Sequence, residues 1–149
     1  LTKGTGVINR IFHGYGKFEG EMDGRKNGAL ISMANGKAVA FAIFNLQARG
    51  EMFVTHNDPV YEGMIVGLAP KAGDMIINVM KGKQLTNMRT QGTDENVVLT
   101  PVRQMSIAEQ LSMLNTDEAL EITPKSLRLR KAILNPNDRK KNEKSSTPL

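Results

Sequence analysis

Two groups of cations hold most of the chemistry this sequence offers. The first lies in GKQLTNMRTQGTDE, residues 82–95, where Lys83 and Arg89 follow closely on Lys81. Lysine and arginine neutralise phosphates. Thr86, Asn87, Thr90 and Gln91 add neutral groups that can meet phosphates, 2′-hydroxyls or base edges. Gly92 would let the chain turn back, and Asp94-Glu95 would anchor its return. The second group is Arg128, Arg130 and Lys131 in KSLRLRK, followed by Arg139, Lys140 and Lys141 in NDRKK. Between Lys125 and Lys144 bases exceed acids by six, more than the net +5 of the whole chain, so the basic character is local. Such a stretch suits a polyanion. It equally describes a solvated face, and residues 82–95 equally describe an ordinary surface loop. Two tyrosines and five phenylalanines are scattered, so contact with a nucleic acid would rest on phosphates and shape rather than stacking.

Other chemistries lack their residues. Each Gly-Lys pair (Gly16-Lys17, Gly36-Lys37, Gly82-Lys83) is followed by a residue other than Ser or Thr, so no phosphate-binding loop with a magnesium-ligating hydroxyl is encoded. HGYGKFEG, residues 13–20, has the glycine density of a nucleotide loop but misses G-x-G-x-x-G by one residue and precedes no helix, so it reads as linker. With no cysteine and only His13 and His56, metal sites built on thiolates or several histidines are excluded, and THND at 55–58 reads as a turn. No G-x-S-x-G elbow is present. The carboxylate pairs Asp94-Glu95 and Asp117-Glu118 are adjacent in sequence, so they would not face one another on a regular element. The expectation is a binding module with no catalytic residue, metal or cofactor of its own.

The elements that must position the cations read as an α+β fold in which strands dominate, with about two helices. Residues 4–12 alternate as a strand, and 13–27 read as a glycine-rich connection. A leucine at position 1 adds to the expectation that residues 1–26 are the end of a preceding domain. A compact unit over 27–140 then starts with the strand GALISM, an Asn-Gly turn, and a buried helix over 38–48 with Gly50 as its C′ residue. EMFVT, GMIVGL, DMIINVM and NVVLTPV follow as strands, so the polar stretch 82–95 joins two of them. It is longer than the two to five residues or so that a hairpin needs. Ser106 and Glu109 predict a capping box for a helix over 106–115 with Ile107, Leu111 and Leu114 as its apolar stripe. ALEIT and KSLRLRK predict a hairpin turning at Thr123-Pro124, with Leu127 and Leu129 inward and Arg128 and Arg130 outward. After Leu134 the chain reads as a frayed helix or a disordered tail, with 141–149 taken as the tail. No apolar run approaches the ~18 residues of a membrane span.

LTNMR followed by GTDE, VYEGMIVG, KAVAFAIFNLQARG and EITPKSLRLRK together resemble the C-terminal region of the BipA/TypA translational GTPases, in order and spacing over nearly the whole chain. The resemblance implies that residues 4–15 are the last strand of a ferredoxin-like domain corresponding to elongation factor G domain V. It implies that about 27–140 form the C-terminal domain peculiar to the family. Members bind the ribosome near the factor site, with roles in stress adaptation and large-subunit assembly. Their C-terminal loop, here Lys83 to Glu95, approaches 23S-type ribosomal RNA and the acceptor end of the A-site tRNA. The implied setting is a cytoplasmic, or organellar, monomer with no membrane or small-molecule ligand. GTP and magnesium would belong to a GTPase domain outside this chain. The alternative reading is a basic module that binds an acidic protein; a hydrolase or nuclease has no named constellation behind it.

Overall fold

Apolar side chains alternate onto two faces of one sheet, and both faces are covered. The structure, a computed structural model, describes residues 11–17, 25–82 and 98–146. Strand β1 (Ala29–Ser32) is buried at every position, which fits a strand with layers on both sides. It lies between β5 (Ile65–Leu68), antiparallel, and β6 (Met75–Ile77), parallel, with β3 (Glu51–Met52) beyond β5. Leu30, Met52 and Val66 belong to the cluster that includes Ile43 and Leu46 of α1 (Ala40–Gln47). Ala29, Ile31 and Ile65 point the other way and meet Leu129, with Leu114, Leu120 and Met105 packed around them. Those partners come from the hairpin β7 (Glu118–Ile122) and β8 (Leu127–Lys131) and from the chain around α2 (Ile107–Ser112). The order is therefore helix, sheet, hairpin. Strands β2 (Gly36–Lys37) and β4 (Pro59–Val60) pair separately, and α3 (Pro136–Ser146) closes the described chain.

Several expectations change. The Asn35-Gly36 pair forms no hairpin turn: among the described residues only Asn57, Gly63 and Gly73 have positive φ, and Gly36 pairs instead with Val60 in β2–β4. Asn35 has a different task, its Oδ1 accepting the Glu62 N–H at 2.8 Å. Helix α1 is capped at Ala48, so Gly50 is not its C′ residue. Gly50 serves the sheet, where a Cβ would lie 2.1 Å from the Leu68 carbonyl oxygen. Residues 98–102 of NVVLTPV form no strand; Thr100 bonds in both directions to the Gln47 side-chain amide (3.1 and 3.3 Å), Pro101 has no N–H to give, and Val98 is 76 % exposed. The expected strand–loop–strand unit is thus a sheet strand, β6, and an irregular return.

The capping box of α2 is present as expected, with Glu109 N–H on Ser106 Oγ and Ser106 N–H on Glu109 Oε2. Its expected stripe is not buried: Ile107 and Leu111 are exposed, and Gln110 is the helix's buried residue. The helix stops at Ser112, before Leu114, which packs on the core from the turn that follows. Among the described residues there are three helices where about two were expected; the third, α3, takes the helical reading of the stretch after Leu134 and extends through 141–146, part of the stretch taken as a disordered tail. Residues 11–17 contain no regular element; the strand expected over 4–12 otherwise lies outside the described residues, as do residues 147–149.

Candidate nucleic-acid interface

The β7–β8 register decides which bases of KSLRLRK reach solvent. Ala119 pairs with Arg130, Glu121 with Arg128 and Glu118 with Lys131, and alternate residues of β8 share a face. Leu127, Leu129 and Lys131 therefore turn inward together, and Lys131 is 1 % exposed. Its Nζ donates to Asp117 Oδ2 at 2.6 Å and Glu118 Oε1 at 3.1 Å, and pairs with Asp74 Oδ2 at 2.5 Å. This corrects the expectation that Lys131 contacts RNA: three carboxylates already occupy its ammonium, and it has no path to a phosphate. The period-two pattern that turns Leu127 and Leu129 inward should have taken Lys131 with them.

The same cluster ties the chain together. Asp74, just before β6, accepts the Ala29 N–H at 2.7 Å. Arg25 donates to Glu118 Oε1 at 2.7 Å and to the Met113 carbonyl at 3.3 Å, fastening the segment before β1 to the hairpin side of the sheet. Burial alone would raise the Asp74 carboxyl, but the bonds from Lys131 and the Ala29 N–H, with the charges of Lys131 and Arg25, hold it below its usual value. Burial likewise disfavours the Lys131 cation, yet its three carboxylate partners outweigh this and raise its pKa.

Arg128 and Arg130 lie on the opposite face, half-buried rather than fully exposed. Arg128 pairs with Glu121 at 3.4 Å, and Tyr61 donates to the other Glu121 oxygen at 2.6 Å. Burial, then the Glu121 bond and charge, push the Tyr61 phenol up to about 12. Arg130 donates to the Lys131 carbonyl at 3.1 Å. On α3, Arg139 reaches back to the carbonyls of Ile133 (3.0 Å) and Leu134 (2.6 Å), so part of its donor set fastens the helix start to the end of β8. Lys140, Lys141 and Lys81 are exposed; Lys141 has only a long contact with Asp138 at 3.7 Å. Lys83, Thr86, Asn87, Arg89, Thr90 and Gln91 lie outside the described residues. Among the described candidate residues, Arg128, Arg130 and Arg139 are thus fastened, whereas Lys81, Lys140 and Lys141 stand exposed.

Sequence reasoning missed a cleft of about 930 Å³ between the hairpin turn and residues 102–105. Arg103, Lys125 and Arg128 line it, and Gln110 sits in its wall. The signal available was the capping box itself, because Glu109 also accepts from Arg103 at 2.9 Å and so places that arginine. The Glu109 carboxyl is held below its usual value by the Ser106 N–H, Arg103 and the Ser106 hydroxyl.

The sequence is similar to known proteins. The family model described as TypA/BipA C-terminal domain matches residues 27–136. A protein of Buchnera aphidicola named large ribosomal subunit assembly factor BipA is 48 % identical over 100 % of this chain and 25 % of its own length. Proteins of the same name from Salmonella typhimurium (46 % identical, 95 % of this chain, 23 % of theirs) and Haemophilus influenzae (42 %, 99 % and 24 %) are also similar. The chain spans about a quarter of the length of these relatives.

Proposed function

The chain belongs to the TypA/BipA C-terminal domain family, and from that premise we propose that it is the ribosome-binding module of a translational GTPase acting in large-subunit assembly. The relatives are named for that assembly role. The observation that supports an RNA-contacting surface is the division of the cations: Lys131 is consumed internally, whereas Lys81, Lys125, Lys140 and Lys141 stand exposed. Open lysines are suited to phosphates, being compact charges on flexible stems. Lys83 and Arg89, with Thr86, Asn87, Thr90 and Gln91, complete the proposed contact set toward ribosomal RNA and the acceptor end of A-site tRNA. Arg128, Arg130 and Arg139 sit at its border, their partners leaving only some donors available. GTP and magnesium would bind elsewhere in the longer protein, in the cytoplasm where ribosomes assemble. Among the described residues no helix is long and apolar enough to cross a membrane.

Sedimentation with purified ribosomal subunits tests this reading. The chain should pellet with large subunits and be released as salt rises, each phosphate contact adding roughly 0.7–0.9 to the slope of log K against log salt. Retention by an acidic polypeptide with no binding to either subunit would overturn the reading in favour of a protein-interaction module.

A further inference from the structure

Helix α2 is turned inside out. Its apolar Ile107 and Leu111 are 48 % and 53 % exposed, while its amide, Gln110, is 8 % exposed. The Gln110 Nε2 donates to the Met105 carbonyl at 3.3 Å, but the buried Oε1 has no hydrogen-bond partner among the described residues. A buried acceptor without a donor is destabilising, so a native protein that keeps one calls for an explanation. Gln110 lines the cleft between the β7–β8 turn and residues 102–105. Around it stand apolar walls from Phe53, Met105 and Ile122, and cations from Arg103, Lys125 and Arg128. Among the described residues lining the cleft the one acid is Asp58, which already accepts the Thr55 N–H at 2.6 Å.

These features ask for a ligand that joins an N–H donor on a flat apolar body to an adjacent anion. We propose that the cleft holds one unpaired nucleotide of single-stranded RNA. Gln110 Oε1 is closed to solvent until a base enters; the amide then turns into the cleft and accepts from a base amino group, while the phosphate rests against Lys125 and the donors of Arg103 that Glu109 leaves available. This rests on the RNA reading above and adds to it a base-reading pocket where the exposed lysines only track the backbone. Cytosine, adenine and guanine carry exocyclic amines. Uracil offers only an imino N–H flanked by two carbonyls that oppose the Gln110 oxygen.

Fluorescence anisotropy of the full chain with labelled oligocytidylate and oligouridylate tests the pocket. Oligocytidylate should bind more tightly, and Gln110→Met should remove about fivefold of that preference, the effect of one hydrogen bond, without lowering the melting temperature. Lys125→Ala should weaken both oligonucleotides alike and reduce the salt slope by about 0.7. In the unaltered chain, the Gln110 side-chain amide resonances should shift on adding oligocytidylate. Equal affinity for both oligonucleotides, or unshifted Gln110 resonances, would overturn the pocket. Displacement of oligocytidylate by oligoglutamate of equal charge would overturn it in favour of an acidic peptide. Either result leaves the subunit sedimentation to be judged separately, so the two readings fail independently.

Discussion

Lys131 and Lys140 have the same side chain and opposite fates. Lys131 sits among Asp74, Asp117 and Glu118, where a cation is an internal cross-link; Lys140 stands in water on α3. Replacing Lys131 by Met keeps its volume but leaves the buried Glu118 carboxylate short of a partner. It should cost about 3 kcal/mol in urea unfolding. Lys140→Ala should change stability by less than about 0.5 kcal/mol. The cross-link also fixes the pH response. Asp74 is depressed in the fold, so its contribution is present above the unfolded value near 3.9 and is lost as pH falls through the lower folded value. Lys131 is raised, so its contribution holds below about 10.4 and is lost as pH rises through the folded value. Tyr61 acts in the same direction, its contribution fading between about 10 and about 12. Stability measured against pH should therefore be flat through neutrality and fall at both ends, and Lys131→Met should flatten the alkaline fall.

At the scale of elements, one of the links from the hairpin to the sheet runs through a tight turn. Gly63 has φ +83°, its carbonyl accepts the Lys131 N–H at 2.9 Å, and an added Cβ would lie 2.7 Å from Leu134 Cα. Gly73 also has positive φ (+98°) but faces open space. Gly73→Ala should therefore cost only the backbone strain, about 1–2 kcal/mol, and Gly63→Ala distinctly more, since the clash adds to it. Differential scanning calorimetry of the two variants separates these terms. The elements legible in the sequence were those with local chemistry: the Ser106–Glu109 capping box, the alternating KSLRLRK, and the strand in GALISM. The illegible ones were decided by tertiary partners. Thr100 takes its bonds from Gln47, Gly36 pairs with Val60 instead of closing a local turn, and Gln110 displaces the apolar stripe of α2. No local pattern reports a partner that arrives from elsewhere in the sequence.

For the whole molecule, net charge is a poor guide to function until the internally spent charges are set aside. Of the candidate site, the existence of two cationic groups was legible; which cations remain open was not, because that depends on the β7–β8 register and on where Asp74 and Glu118 lie. In the proposed binding mode the cations of residues 81–91 and the exposed lysines of α3 grip subunit RNA without holding the fold. Its most direct test is the triple variant Lys83→Ala, Arg89→Ala, Lys140→Ala, measured for large-subunit affinity across a salt series beside its thermal melting. The melting temperature should be unchanged and the slope of log K against log salt reduced by about two to three. An unchanged slope and affinity, or a large loss of melting temperature, would contradict it.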